Sequence, residues 1–276
     1  MLPSFLIMLR EGLEAALIVG IIASYLARTG RTDWLPTVWI GVLLAVALSL
    51  FVGAGVLILG AQFPQKTQEL FEAIVGAVAV VVLISMVFWM RKAARSIKKT
   101  MEHDIDAAMA DARGPTWALI GMSFFAVARE GLESVFFLLA LFQQSPGPAA
   151  PIGALLGVLA AALLGYGIYR GGVRLDLRRF FLWTGVFIIF VAAGLASSVL
   201  RSLHEAGIWN YLQQPVWDMT RTLPISSVTG TVLSGLLGYH DAPVLGEVIA
   251  WALVLFVTLY FFLRPAPMTQ PAKQEA

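Results

Sequence analysis

One five-residue phrase occurs twice in this chain, each time inside an apolar run. Arg10-Glu11-Gly12-Leu13-Glu14 is matched by Arg129-Glu130-Gly131-Leu132-Glu133, and the flanks agree as well, LREGLEAALIVGII against AREGLESVFFLLAL. A bilayer crossing takes about twenty apolar residues, and each copy puts three formal charges within such a stretch. Ionisable groups at that depth are costly, so they mark a functional site. The rest of the 276 residues supports a membrane setting: 59% are hydrophobic and 13% charged, about half the charged share of a soluble domain. The basic residues fall in short connections, so the net charge of +2 does not imply nucleic acid. There is no cysteine, which excludes disulfides and thiolate ligands. No basic residue precedes the first apolar run, so no cleavable leader is expected.

The reading is an all-α polytopic membrane protein with seven transmembrane helices. They run roughly over Leu2–Leu26, Leu35–Gly60, Leu70–Met90, Thr116–Phe142, Ile152–Tyr169, Phe180–Leu200 and Pro243–Leu263. Lys plus Arg number two, one, six, none, four and two in the successive connections. Basic residues stay cytoplasmic, so the odd connections lie inside, the N-terminus outside and the C-terminus inside.

The halves repeat beyond the charged phrase. Ile40-Gly41-Val42-Leu43-Leu44, with Gly53 and Gly55, matches Ile152-Gly153-Ala154-Leu155-Leu156, with Gly165 and Gly167, at an offset of 112 residues; the charged phrase is offset by 119. Spans 1–3 therefore resemble spans 4–6, and span 7 is additional. Three is odd, so the second unit enters from the opposite side: a 3+3 inverted repeat, which binds cargo near the midplane. A single transmembrane permease domain is expected over 1–265, with repeat 1 at about 1–92, repeat 2 at about 115–203, an outer segment 204–242 and the seventh helix 243–263. The residues 266–276 read as a disordered tail. At about 1.5 Å per residue, both phrases reach the middle third of the membrane.

Residues three and four apart share a helix face, so each copy presents both carboxylates beside its arginine. Gly12 and Gly131 remove side chains next to the acids, which is expected to let the two charged helices approach each other. Four carboxylates and two guanidiniums suit a hard, multivalent cation with oxygen ligands. Glu11, Glu14, Glu130 and Glu133 are thus the candidate metal ligands, and Arg10 and Arg129 hold them in place while no ion is bound. Two other readings stay open: Arg–Glu pairs that only join helices, and a proton relay through buried glutamates.

Paired REGLE phrases on the first and fourth of seven spans resemble the oxidase-dependent iron permeases. That family takes in a fungal high-affinity permease and the bacterial EfeU-type ferrous iron permease, to which the length and the scarcity of soluble domain are also similar. The resemblance implies iron uptake across the cell inner membrane, with residues 11, 14, 130 and 133 as the iron path. Iron is then cargo, and no permanently bound cofactor is implied. It also implies partners: a multicopper ferroxidase in fungi, and a periplasmic cupredoxin-like protein with a haem peroxidase in bacteria. Ferrous iron would be delivered and oxidised to ferric by a partner before passage.

Glu69, Glu72, His204 and Glu205 fall on the outer side, where they read as a cation-collecting vestibule; the plainer reading of Glu69 and Glu72 is first-turn acids favoured by the helix dipole. The acidic stretch at 102–111 reads as a solvated charged face, with receipt of iron at the exit as the second reading. Trp209, Tyr211 and Trp217 suggest a short surface helix or re-entrant segment over Gly207–Thr222. Met8, Met86 and Met90 read as core fillers. No GxxxxGK[ST] loop is present, so direct ATP coupling is not expected. The rival functions are a proton- or sodium-coupled exporter using the same acids, and a di-metal carboxylate oxidase. The second would pair glutamates with Glu-x-x-His, whereas both phrases here are Glu-x-x-Glu.

Overall fold

A computed structural model describes residues 1–60, 64–93, 105, 115–144, 147–170 and 176–264. The long helices are α1 (Leu2–Arg28), α2 (Leu35–Gly60, entered through a 3-10 turn at Thr32–Trp34), α3 (Gln65–Ala93), α4 (Pro115–Gln144), α5 (Ala149–Tyr169), α6 (Leu177–Glu205) and α8 (Leu245–Leu263). The short α7 spans Val228–Leu237. The local sequence explains most of the ends. Pro115 opens α4 and Pro3 sits in the first turn of α1, where a missing N–H costs nothing. Asp176 caps α6 by accepting from the Arg179 N–H at 3.2 Å. Ser227 caps α7 in the same way through Gly230 N–H at 2.9 Å, and Gly238 closes it in the left-handed region.

Among the described residues, five helices are long and apolar enough to cross a membrane: α2, α3, α5, α6 and α8. The shortest but one, α5, has 21 residues and is about 31 Å long, close to the thickness of a bilayer core. α1 and α4, with 27 and 30 residues, are the helices that carry the charged phrase.

The packing puts those two inside. α1 lies along α5, α2 along α4, α3 along α6 and α6 along α8, while α1 meets α4 at the centre. The largest apolar cluster joins Ile7 of α1, Leu83 and Val87 of α3, Phe137 of α4, Ile188 and Ile189 of α6 and Leu255 of α8. A second joins α1, α2 and α4 through Ile22, Val38 and Leu119, with Ile105 buried against them. The outer helices α2 and α5 expose large apolar side chains; Phe51 is 77% and Leu163 74% exposed. Faces of that kind are unfavourable in water and are at no disadvantage against lipid tails.

Close backbone approach sets the α1–α5 and α2–α4 pairs. A Cβ on Gly41 would meet the Ile120 carbonyl and Ser123, and one on Gly153 would meet the Met1 backbone. Gly12 faces Ala161 of α5 and Gly131 faces Ser49 of α2. This corrects the expectation that these two glycines bring the charged helices to each other: each points away from the opposite copy and admits a flanking apolar helix instead.

Of the two expectations for Gly207–Thr222, a surface helix or a re-entrant segment, the helix does not form. Pro215 has no N–H to give a helix, and the Asp218 carboxylate takes the Thr220 N–H and hydroxyl at 3.0 and 2.6 Å, closing a turn. The backbone bonds instead to the approach to α8, with Gly246 N–H on Leu212 O at 3.0 Å, Leu245 N–H on Gln214 O at 2.9 Å and Val216 N–H on Pro243 O at 3.0 Å. The short helix of this region is α7, further along the chain. The acidic stretch at 102–111, apart from Ile105, and the tail at 266–276 lie outside the described residues.

A test of the packing follows. Gly41→Leu should lower the thermal stability of the detergent-purified protein by about 1–3 kcal/mol, the usual range for overpacking against groups that cannot yield. Gly55→Leu, where a Cβ meets nothing within 4 Å, should leave the unfolding midpoint unchanged.

Candidate metal site between the charged helices

Each copy of the phrase lies in mid-helix, so its spacing fixes which side chains share a face. In α1, Arg10 and Glu11 are each 1% exposed and Glu14 5%. Arg10 Nε lies 3.2 Å from Glu14 Oε1 and its NH1 3.9 Å from Glu11 Oε1. The first is an ion pair without the alignment of a hydrogen bond, since Nε and Oε1 both lack a hydrogen-bonding partner. The directed bond of Arg10 goes from NH1 to Met86 Sδ on α3, at 3.3 Å. Met86 is thus more than the core filler expected of it.

In α4, Glu130 is buried, and its carboxylate meets those of Glu11 and Glu14. One oxygen from each lies within 4.8 Å of the others, about the span over which oxygens can share one cation. Glu133 stands apart from that trio. Its Oε1 accepts from Arg129 Nε at 3.0 Å, while its charge still acts on Glu11 and Glu14. Arg129 in turn lies over the ring of Trp89 of α3, its Cζ 4.0 Å from the ring centroid.

The donors do not match the acceptors. Both oxygens of Glu11, Oε1 of Glu14, Oε2 of Glu130 and Oε2 of Glu133 are buried without a hydrogen-bond partner. Buried carboxylate oxygens are normally satisfied, and leaving one bare costs more than leaving a neutral group bare. Four carboxylates against two guanidiniums also leave a formal charge of −2. A cation with oxygen coordination removes both deficits together; a hydrogen bond removes only one.

A cavity of about 240 Å³ opens at the N-terminal end of α3, lined by Glu69, Glu72, Ser198, Arg201, Glu205 and His240. The Glu69 carboxyl faces that of Glu205, and Glu72 accepts from Gln68 Nε2 at 3.2 Å. Ala140 lies on its wall, seven residues or about 10 Å along α4 from Glu133. His204 is not in the lining: its Nδ1 lies 3.0 Å from Trp209 O and 3.1 Å from Asn210 Oδ1, in the loop after α6.

Sequence reading did not pair Arg201 with Glu247, which are 46 residues apart. Their two-pronged contact, at 3.0 and 2.6 Å, ties α6 to the first turn of α8. Nearby, Asp241 Oδ2 accepts from Ile225 N–H at 3.1 Å, and His240 Nδ1 accepts from Ala242 N–H at 3.2 Å. Burial, with Arg201 beside it, pushes the imidazole of His240 below its ordinary value.

Apolar helices wrapped round buried carboxylates define a membrane protein of the permease class. The chain matches the Iron permease FTR1 family over residues 1–268, and it belongs to that family. It is 53% identical over 269 residues to the Ferrous iron permease EfeU of Yersinia pestis, covering 98% of this chain and 95% of the relative. The protein of the same name from Yersinia pseudotuberculosis serotype I (strain IP32953) is 54% identical over 265 residues, with 96% and 93% covered. That of Escherichia coli O157:H7 is 52% identical over the full length of both chains. No solved structure matches the chain significantly. Family and relatives are named as permeases, in line with the expectation of a transporter rather than an enzyme.

The His240 contact has a measurable pH dependence. A histidine whose folded pKa is lowered withholds stability as pH falls, because the unfolded chain takes up the proton first. The contribution is intact above about 6.5, the ordinary histidine value, and is lost as pH drops through the lowered value. Thermal melts between pH 7.5 and 5 should show a loss in the wild type that is smaller in His240→Gln.

Proposed function

We propose that this chain carries iron across the bacterial inner membrane into the cytoplasm, through a midplane site made by Glu11, Glu14, Glu130 and Glu133. The observation that supports this most is the surplus of buried, unpartnered carboxylate oxygens between α1 and α4. An iron ion meets that surplus with the oxygen coordination that hard cations prefer. Glu133 completes the set by leaving Arg129.

The two halves form an inverted repeat around this site, with α8 additional and 1–265 a single permease domain. What supports the repeat is that its sequence offsets carry one packing pair onto another. Adding 119 to residues of α1 and subtracting 112 from residues of α5 takes Gly12–Ala161 to Gly131–Ser49. The same operation takes Met1–Gly153 to Ile120–Gly41 and Ala16–Gly165 to Val135–Gly53, and all six pairs are in close approach. With basic connections inside, α1 descends from the outside and α4 rises from the inside. The N-terminus is then outside and the C-terminus inside.

On that orientation the cavity of Glu69, Glu72 and Glu205 opens outward and gathers cations above the site. His204 serves the vestibule from its rim. Iron arrives in the ferrous form and is oxidised to ferric by a partner before passage, a cupredoxin-like protein and a haem peroxidase being the partners the family resemblance implies. A negative interior assists entry: about 2.3 kcal/mol per charge per 100 mV, or roughly 7 for a trivalent ion.

Three experiments test the reading. In proteoliposomes loaded to hold an inside-negative potential, Glu14→Gln and Glu130→Gln should each lower radio-iron uptake by at least about tenfold, while the protein still inserts and purifies; wild-type uptake by either variant would defeat the glutamate path. Presenting ferrous and ferric iron separately, with and without the potential, identifies the species that crosses. Glu69→Ala with Glu72→Ala should raise the iron concentration for half-maximal uptake and leave the maximal rate unchanged.

A further inference from the structure

The two copies of the phrase are held differently, although their sequences agree. Arg10 is sealed, 1% exposed, and directs a hydrogen bond at Met86. Arg129 is 44% exposed along its side chain and has the Trp89 ring under its guanidinium. Met86 and Trp89 are three residues apart on α3, which places them on one helix face. A single helix, itself without a charged phrase, thus supplies the second contact of both arginines.

The carboxylates differ in step with the arginines. Glu11, Glu14 and Glu130 offer oxygens to a common point, and Glu133 does not, because Arg129 holds it. Bringing Glu133 to a cation at that point requires breaking its 3.0 Å bond to Arg129 Nε. The guanidinium then loses its carboxylate but keeps the face of the indole, which attracts a cation through its quadrupole.

We propose that Trp89 is a positioning residue for the metal site: it holds Arg129 during the exchange in which Glu133 passes from Arg129 to the ion, and so sets how readily the fourth carboxylate is released. The proposal rests on the glutamate site of the preceding section. Arg129 and Glu133 are one helical turn apart, so both partners of the exchanged ion pair ride on α4. The first copy has no such exchange. Arg10 is enclosed and its two glutamates already face the site, so that copy is the standing half of the cradle and the second copy the adjustable half.

Iron binding to the detergent-purified protein, with ferrous iron presented anaerobically and ferric iron presented as a soluble chelate, each measured by competition with a chromophoric chelator, tests this without relying on transport. Trp89→Leu should weaken binding about two- to fivefold, the range a partly exposed cation–ring contact provides, and Trp89→Phe should weaken it less. In a Glu133→Gln background there is no ion pair to exchange, so Trp89→Leu should then change binding less than twofold. An unchanged affinity in Trp89→Leu would overturn the proposal. So would an equal loss in both backgrounds, which is what a merely structural tryptophan gives. If Glu14→Gln binds iron as the wild type does, the glutamate site itself fails, and the role of Trp89 fails with it; loss in Glu14→Gln with no effect at Trp89 removes only the present inference.

Discussion

A carboxylate without a donor, buried in an apolar surround, is among the most expensive groups a fold can contain. Five carboxylate oxygens of α1 and α4 are buried without a hydrogen bond, three of the four carboxylates converge on one point, and the rest of the architecture follows from keeping them there. The apolar helices are on the outside because lipid accepts them at no loss. The charged helices are in the centre because lipid would not accept them. The tight glycine contacts with α2 and α5 secure each charged helix from behind, and the apolar clusters and the two arginines also oppose the repulsion among the acids. The site is therefore maintained by packing and by two guanidiniums, which together leave the acids short of positive charge, the condition for taking up a metal ion.

Much of this was legible in the sequence because it is local. A phrase of five residues fixes its own helix face, and its presence twice inside apolar runs points to one shared site. The glycine offsets were legible for the same reason. Three things were not. The partners of Gly12 and Gly131 depend on the direction in which each helix turns its small face, and periodicity does not give that direction. Glu133 bonds its own arginine by a rotamer choice that spacing does not fix, and the ring under that arginine comes from Trp89 on another helix. Arg201 and Glu247 meet only because α8 folds back on α6, and neither residue sits in a motif.

The region between α6 and α8 shows the limits of aromatic patterning. Trp209, Tyr211 and Trp217 suggested a surface helix or a re-entrant segment at the interface, and Pro215 and the Asp218 turn remove the backbone bonds the helix would need. The helix formed instead over Val228–Leu237, where Val and Leu are interleaved with Ser, Thr and Gly. Its ends were written in the sequence as Ser227 and Gly238. Caps were the stronger signal there, and hydropathy the weaker.

The eighth helix packs on α6 and has only slight contact with α3, the counterpart of α6 in the proposed repeat. Phe262 fills the space over Gly185, and Glu247 grips Arg201. With the halves related as proposed, a chain of perfect internal symmetry would face either side of the membrane with equal ease, since exchanging the halves would turn one state into the other. An appendage fastened to one half alone removes that equality. It gives the molecule a preferred resting state and so a built-in difference between arriving and leaving.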